Sequence, residues 1–155
     1  MATKINLSST AKLPPKVPVP SGLAVKRSRA GLGLFATEPI KKGRRIIEYV
    51  GRAVSKEEEY TSKSKYLFEI NKNKTIDGKP RSNPAGYINH SCRPNCESDI
   101  VKGRVFISAI KNIKPGEELT YDYGKEYFDE HIKPFGCRCA KCAEKKGQAL
   151  EKPSW

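Results

Sequence analysis

Residues 87–96, with the sequence YINHSCRPNC, hold the densest mixture of chemically active groups in this chain. They combine amide, imidazole, thiol and proline groups with a single branched aliphatic side chain, Ile88. A segment that served only the core would resemble the nearby residues 105–107, which read VFI. The stretch therefore predicts a binding or catalytic segment, and the elements around it must supply its partners.

Three further cysteines, Cys137, Cys139 and Cys142, lie within six residues of one another near the C-terminus. In a reducing compartment, clustered thiols are more often metal ligands than disulfides. A structural zinc ion needs four ligands, usually thiolate or imidazole. The spacing therefore predicts a zinc site, and its fourth ligand is one of Cys92, Cys96, His90 and His131.

Tyr66, Tyr121 and Tyr123 fall on or beside predicted strands, and strand alternation places Tyr121 and Tyr123 on one face. Such a pair is ordinarily packing. Here, however, residues 117–130 carry six acids and one base. Tyrosine rings and hydroxyls suit a cationic substrate through cation–π attraction and hydrogen bonding. The tyrosines are candidate walls of a polar site, and the acidic stretch is a candidate dock for a cationic peptide.

Two other patterns carry weaker signals. The Gly31-x-Gly33 pair permits close backbone approach to a ligand, but no third glycine or P-loop lysine follows it, so taken alone it indicates a turn. The chain has two histidines and no Gly-x-Ser-x-Gly, which argues against a serine triad. His90 and Cys92 lie on neither a strained elbow nor a clear helix start, which argues against a cysteine protease.

The chain has 155 residues and a formal net charge of +13, which fit one domain with a modest core. The charge admits weak nucleic-acid binding through counterion release, although a solvated lysine-rich surface would carry the same charge. No apolar run approaches the roughly 20 residues that span a bilayer, and the N-terminus has no secretory pattern. We expect no membrane partner, and a cytoplasmic protein, or a nuclear one in a eukaryote, that is not secreted.

Short strands dominate the pattern between the two ends. Runs of β-branched and aromatic residues predict strands at 45–50, 66–70 and 104–108. Ser55-x-x-Glu58 is a capping box that predicts a short helix at 55–62. Residues 36–46 and 109–119 share the pattern Ala-x3-Ile-x2-Gly-x2-Ile/Leu, and each copy predicts two strands joined by a glycine turn with positive φ.

The motif NHSCxPN at 89–95, followed by GEELTYDY at 116–123, resembles the signature of the SET-domain protein-lysine methyltransferases. GLGLF at 31–35, YLF at 66–68 and the terminal cysteine cluster complete that pattern over residues 22–142. The resemblance implies a mainly β, β-clip-like fold of several small sheets, with few short helices and a knot-like crossing of 89–95 with 119–123. It implies a SET catalytic domain at 22–128 and a post-SET zinc segment with a charged tail at 129–155, while the polar, proline-rich composition before them predicts a flexible arm at 1–21.

The same resemblance implies that S-adenosylmethionine donates a methyl group to a lysine of a protein substrate, such as a histone or another nucleic-acid-associated protein. It assigns donor binding to seven residues: Gly31, Leu32, Gly33, Leu34, Tyr66, Asn89 and His90. It makes Tyr123 the main catalytic hydroxyl and Tyr66 a supporting one, while the Tyr121 hydroxyl restricts the product mainly to monomethyl-lysine. One structural Zn²⁺ would be held by Cys92, Cys137, Cys139 and Cys142, which leaves Cys96 over.

The chain departs from the family pattern at two places. Gly86 and Tyr87 stand where many relatives have Arg-Phe, and the cysteines follow Cys-x-Cys-x2-Cys rather than the commoner Cys-x-Cys-x4-Cys. Two other functions are compatible with the sequence. One is a methyl-inactive SET-like module that binds a basic peptide or nucleic acid, and the other is a small zinc-binding nucleic-acid adaptor. The joint presence of Tyr66, Asn89, His90 and Tyr123 favours the enzyme.

Overall fold

The computed structural model describes residues 19–29, 31–80, 82–137, 139 and 141–142. In these ranges ten short strands alternate with turns and five helical segments. The strands are β1 (Leu23–Ser28), β2 (Gly31–Ala36), β3 (Arg45–Tyr49), β4 (Arg52–Val54), β5 (Leu67–Asn71), β6 (Lys74–Asp77), β7 (Asn89–His90), β8 (Cys96–Val101), β9 (Arg104–Ala109) and β10 (Thr120–Tyr121). The helical segments are α1 (Lys56–Thr61), a 3-10 turn (Pro84–Tyr87), α2 (Lys125–Tyr127), a π-helical turn (Phe128–Ile132) and a second 3-10 turn (Lys133–Phe135).

The strands form four small sheets. β1 and β2 make an antiparallel ribbon, and two three-stranded antiparallel sheets have the orders β3-β9-β8 and β4-β6-β5. β7 and β10 pair in parallel, with Thr120 opposite Asn89 and Tyr121 opposite His90. The mainly β architecture of several small sheets with few short helices is therefore confirmed.

Local sequence signals account for several of these elements. Ser55 accepts a hydrogen bond from the Glu58 N–H at 3.0 Å, and the Ser55 N–H donates to the Glu58 carboxylate at 3.4 Å. This reciprocal box caps the first turn of α1 and confirms the predicted helix. β3, β5 and β9 confirm the three predicted strands, with end points that differ by one residue.

The two copies of the internal repeat pair with each other. Ile40 and Ile113 each donate their N–H to the other's carbonyl, at 2.9 and 2.8 Å. The turn glycine of each copy donates to the alanine carbonyl of the other, at 2.8 Å for Gly43 to Ala109 and 2.7 Å for Gly116 to Ala36. Both glycines have a φ of 91°, which glycine adopts without steric cost, so the predicted glycine turns are confirmed.

The core between the sheets combines residues of the repeat with residues of the strands beside it. Leu34 and Ala36 of β2 and Val105 and Ile107 of β9 are fully buried. Leu119 is fully buried beside them, and its N–H donates to the Leu34 carbonyl at 2.8 Å. Close packing of these side chains fixes the segments that lead into β7 and β10.

Asn95 ties the motif segment at 89–95 to the segment at 119–123. Its side-chain N–H donates to the Glu118 carbonyl at 2.9 Å, while its side-chain oxygen accepts from the Thr120 N–H at 2.9 Å. Its own carbonyl accepts from the Ile110 N–H at 2.9 Å. The two segments of the predicted crossing therefore lie against each other, held by one amide and the parallel β7–β10 pair.

Most of the predicted N-terminal arm (residues 1–18) and the tail at 143–155 lie outside the described residues. Across the part of the chain that is described, no helix has the length and apolar character needed to cross a membrane.

Candidate active site

The side-chain amide of Asn89 is oriented by three oxygen atoms. Its nitrogen lies 2.7 Å from Glu118 Oε2, 2.9 Å from the Leu32 carbonyl and 3.1 Å from Ser28 Oγ. An amide nitrogen can only donate, so these acceptors fix which end of the amide faces them. The Asn89 oxygen is consequently turned away from this cluster.

Glu118 lies partly buried beneath β2. Burial raises the pKa of its carboxyl, while hydrogen bonds from Asn89 and Ser28 and the charge of Arg29 act in the opposite direction. A Cβ atom on Gly33 would lie 2.3 Å from Glu118 Oε2. The absent side chain at Gly33 thus makes room for a carboxylate of the chain itself. Gly31 has a φ of 109°, so its backbone conformation requires glycine.

A cleft of about 760 Å³ opens beside this cluster. Of the seven predicted donor-binding residues, four line it: Leu32, Tyr66, Asn89 and His90. Leu34 instead lies in the core, and Gly33 packs against Glu118. The cleft also includes Glu118, Tyr123 and two of the clustered cysteines, Cys137 and Cys139. Its size and its mixture of polar and apolar groups fit a nucleoside-sized ligand.

A smaller cavity of about 70 Å³ lies next to the cleft. Its walls include Tyr49, Phe68, Tyr121 and Asp122. Five residues line both spaces: Lys65, Tyr66, Gly86, Tyr123 and Tyr127. The two spaces therefore meet at a shared, mainly aromatic wall. One ligand in the cleft and another in the small cavity could approach each other there.

The structure brings the three predicted tyrosines together at this wall. The rings of Tyr121 and Tyr123 have centroids 4.9 Å apart, and Tyr66 lines the same small cavity. The Tyr123 hydroxyl donates to the Ile88 carbonyl. Burial raises the pKa of Tyr123 well above its ordinary value, and the neighbouring Tyr121 and Tyr127 add to the effect. The hydroxyl is therefore neutral, and because its proton is donated to Ile88, its oxygen is available as a hydrogen-bond acceptor.

Tyr127, which no sequence motif singled out, also belongs to this wall. Its ring meets Tyr123 edge-on, with centroids 4.9 Å apart and an interplanar angle of 87°. Its hydroxyl donates to the Lys65 carbonyl at 2.9 Å, a contact that spans 62 residues of sequence. The only available signal was its position four residues after Tyr123, where it ends the short α2 helix. Lys65 was given no role, and Glu118 was counted only among the acids of the stretch at 117–130.

Four cysteines converge at one edge of the cleft. The sulfurs of Cys92, Cys137, Cys139 and Cys142 all lie within 4.8 Å of one another, and those of Cys92 and Cys142 are 3.7 Å apart. Zinc–sulfur bonds of about 2.3 Å in a tetrahedron place the sulfurs roughly 3.8 Å apart. The cluster could therefore hold a zinc ion. Cys96 lies in the core, and the His131 side chain is 40% exposed beside Glu130.

The thiols of this cluster differ in acidity without a metal. Burial raises the pKa of Cys137 to about 11. Burial also acts to raise the pKa of Cys139, but the backbone N–H groups of Cys92 and Cys142 and the thiols of Cys137 and Cys142 together outweigh it and lower the value to about 6. Donated N–H groups of this kind also stabilise metal-bound thiolates.

His90 lies between the cysteine cluster and Tyr123. Its Nδ1 accepts the Tyr123 N–H at 3.1 Å, and its Nε2 is 3.3 Å from Cys92 Sγ. Burial lowers the pKa of the imidazole, and Asp122 partly opposes this shift. The ring is therefore neutral near pH 7.

A sequence model of the SET domain matches residues 31–124. The chain belongs to the SET domain family. It is 39% identical over 124 residues to "Histone-lysine N-methyltransferase trithorax" of Drosophila virilis, which covers 72% of this chain and 3% of that protein. It is 37% identical over 126 residues to human "Histone-lysine N-methyltransferase 2D", covering 73% of this chain and 2% of the relative.

A shorter relative from Kluyveromyces lactis, "Histone-lysine N-methyltransferase, H3 lysine-4 specific", is 38% identical over 120 residues. The match covers 69% of this chain and 12% of that protein. The chain thus spans only a small part of these relatives. Tyr127 and three of the four clustered cysteines lie beyond residue 124, so segments outside the matched SET region complete the cleft.

Proposed function

We propose that this SET domain is a protein-lysine N-methyltransferase that uses S-adenosylmethionine as methyl donor. The observation that carries the proposal is the pair of cavities that share the wall formed by Tyr66, Tyr123 and Tyr127. A donor in the larger space and a lysine side chain in the smaller one would meet at this wall. Alignment of two reactants in this way is the main contribution that a methyltransferase makes to its reaction.

The larger cleft is the proposed donor site. Asn89 presents a fixed amide to it, and Tyr66, His90 and the Leu32 backbone form other parts of its wall. The donor supplies an electrophilic methyl group on a positively charged sulfur. The residues of this chain bind and orient it, and the carboxylate of Glu118 keeps Asn89 in place.

The smaller cavity is the proposed lysine site. Its size fits an aliphatic chain, and its aromatic walls suit an amine through cation–π attraction. A lysine must lose a proton before it can react, against an ordinary pKa near 10.4, and desolvation in a narrow cavity favours the neutral amine. That proton would pass to solvent, and the neutral nitrogen would then bond the methyl carbon as the carbon–sulfur bond breaks, with the electron pair left on sulfur. The Tyr123 hydroxyl is the proposed catalytic group that orients the amine.

The product is proposed to be mainly monomethyl-lysine. Tyr121 is buried and its ring lies beside that of Tyr123, in the wall of the lysine cavity. Its hydroxyl would occupy space that a second methyl group needs. A phenylalanine at this position would leave that space open.

One zinc ion is proposed to join Cys92 of the motif segment to Cys137, Cys139 and Cys142 of the C-terminal segment. Support comes from the mutual approach of the four sulfurs to within 4.8 Å. Such ligand bonds would hold the C-terminal segment against the cleft, where Cys137 and Cys139 contribute to the lining.

The substrate is proposed to be a histone or another basic protein associated with nucleic acid. The relatives are named as histone-lysine methyltransferases, and residues 117–130 carry the acidic groups that would attract a basic segment. Such a substrate places the enzyme with the DNA of its host, in the nucleus of a eukaryote or the cytoplasm of a bacterium.

Calorimetric titration with S-adenosylmethionine tests the donor site directly. We expect one-to-one binding that is weakened in an Asn89→Ala variant, since that change removes the oriented amide. Absence of detectable binding to the zinc-loaded chain would contradict the proposal. Binding of donor without methyl transfer to any core histone, ribosomal protein or nucleoid protein would instead support the methyl-inactive module.

A further inference from the structure

Both ring nitrogens of His90 are engaged inside the protein. Nδ1 accepts the backbone N–H of Tyr123 at 3.1 Å, and Nε2 lies 3.3 Å from Cys92 Sγ. The side chain is 5% exposed, and its ring lies against those of Phe128 and Tyr123 at centroid distances of 5.3 and 5.5 Å. A hydrogen bond from this imidazole to a ligand in the cleft would require one of these contacts to break.

The contact with Tyr123 determines the tautomer of His90. A backbone N–H can only donate, so Nδ1 must be the unprotonated acceptor. The proton of the neutral ring is then on Nε2, which faces Cys92 Sγ. Asp122 Oδ1 lies 3.8 Å from Nδ1, but it already accepts the Gly124 N–H at 2.8 Å. The imidazole is thus oriented as an acceptor toward Tyr123 and a donor toward the cysteine.

We propose that His90 is a positioning residue that links the metal-bound thiolate of Cys92 to the backbone of Tyr123, and that its imidazole does not hydrogen-bond the methyl donor. This inference rests on the proposed zinc site and on the proposed role of Tyr123. A metal-bound cysteine is a thiolate, which is a better acceptor for the Nε2–H than a thiol. Metal loading therefore fixes the ring, and the ring fixes the Tyr123 N–H.

The other end of Tyr123 is held by the same segment. Its hydroxyl donates to the carbonyl of Ile88, two residues before His90. The backbone N–H of Ser91 also donates to the Tyr121 carbonyl at 3.1 Å, so the motif segment at 89–95 is hydrogen-bonded to β10 as well as to Tyr123. Displacement of the imidazole would release the backbone end of Tyr123 and leave the hydroxyl contact as its remaining anchor to this segment.

Two amide variants separate the two hydrogen bonds. In His90→Asn the side-chain oxygen can take the place of Nδ1 and accept the Tyr123 N–H, but the side chain is too short to reach Cys92. In His90→Gln the amide nitrogen can take the place of Nε2 and donate to Cys92, but Tyr123 loses its acceptor. His90→Asn therefore removes the contact with Cys92 and keeps that with Tyr123, and His90→Gln does the reverse.

Zinc affinity of the full chain, measured by competition with a coloured chelator, reports the contact with Cys92. We expect His90→Asn to bind zinc about 10- to 100-fold more weakly, the usual loss when a group that supports a metal ligand is removed. His90→Gln should retain the parent's affinity. Equal zinc affinity in the parent and His90→Asn would overturn the proposal.

Steady-state kinetics report the contact with Tyr123. His90→Gln, measured with saturating zinc, should lower kcat by about 10-fold or more with little change in the KM for S-adenosylmethionine. An increase in that KM with kcat unchanged, in both variants, would show that the imidazole binds the donor and would overturn the proposal.

Nitrogen-15 NMR of the zinc-loaded parent gives a test that needs no folded variant of His90. The chain has two histidines, so a His131→Gln variant assigns the signals. We expect the His90 proton on Nε2, and a proton on Nδ1 would overturn the proposal. Tautomer and zinc affinity are measured without donor, so an inactive chain that meets both expectations refutes the proposed function alone. If the parent is active and His90→Asn binds zinc as tightly as the parent does, this inference alone is refuted.

Discussion

Replacing Gly33 with alanine should disrupt the anchor of Asn89 without touching any ligand. The new Cβ would lie 2.3 Å from Glu118 Oε2 and 3.1 Å from Asn89 Nδ2, and the first distance is too short for any real contact. Glu118 must therefore move. The carboxylate is the end of a flexible side chain and can shift, so complete loss of its 2.7 Å hydrogen bond with Asn89, a bond to a charged group that contributes about 1.5–3 kcal/mol, is the upper limit of the cost.

A loss of about 2 kcal/mol should lower the melting temperature by about 4–8 °C in a domain of this size. The same energy sets an upper limit on the weakening of S-adenosylmethionine binding. That limit is about 30-fold, because each 1.4 kcal/mol is a factor of ten. Differential scanning calorimetry and isothermal titration measure the two effects on the same preparation.

A double-mutant cycle provides the control. In a Glu118→Ala background the carboxylate is absent, so Gly33→Ala should cost clearly less than in the parent, and the difference between the two costs is the interaction energy of the pair. The reasoning is refuted if Gly33→Ala costs as much in that background as in the parent. It is also refuted if Gly33→Ala alone leaves both the melting temperature and the donor affinity unchanged.

Three further substitutions test other parts of the site. Tyr123→Phe should lower kcat by about 100-fold or more, because the amine loses the oxygen that accepts its N–H and orients it, while the affinity for S-adenosylmethionine is kept. Tyr60→Phe, at a tyrosine that is 92% exposed, is the matched control and should leave kcat unchanged. Tyr121→Phe should raise the di- and trimethyl-lysine fraction in product mass spectra, and an unchanged product distribution would contradict the proposed role of its hydroxyl. Cys92→Ser should weaken zinc binding by more than about 100-fold, since it removes a ligand itself, and should weaken S-adenosylmethionine binding with it. Cys96→Ala is the control and should retain zinc. If Cys92→Ser loses the metal but keeps its affinity for S-adenosylmethionine, the coupling between the zinc site and the methyl-donor site is disproved.

Local signals were sufficient where hydrogen bonds close within a few residues. The Ser55–Glu58 box gave α1 because both of its bonds lie inside one turn. The β-branched runs gave β3, β5 and β9, but register and exact ends depend on partners elsewhere in the chain. The repeat at 36–46 and 109–119 was visible as spacing. Its reciprocal pairing through Ile40 and Ile113 was not, because spacing carries no information about which copies meet.

The site was predictable in its reactive groups and unpredictable in its supporting contacts. Residue types alone left four candidates for the fourth metal ligand, and the fold decides for Cys92 because only its sulfur joins the other three. Tyr127 was missed because its link to Lys65 crosses 62 residues and its helix is too short to give a periodic signal. The role of Glu118 in holding Asn89 was missed because a glutamate in an acidic stretch gives no sign that it will be buried. Its burial becomes visible only when the fold packs it against Gly33.

Mass spectrometry of the transferred methyl group tests the central proposal most directly. The zinc-loaded chain is incubated with isotope-labelled S-adenosylmethionine and a mixture of histones and other basic nucleic-acid-binding proteins, and the products are digested and sequenced. We predict label on lysine side chains, mainly one methyl group each, with the label lost in Tyr123→Phe. Donor binding without label on any lysine, or label that persists unchanged in Tyr123→Phe, would contradict the assignment of this site to lysine methylation.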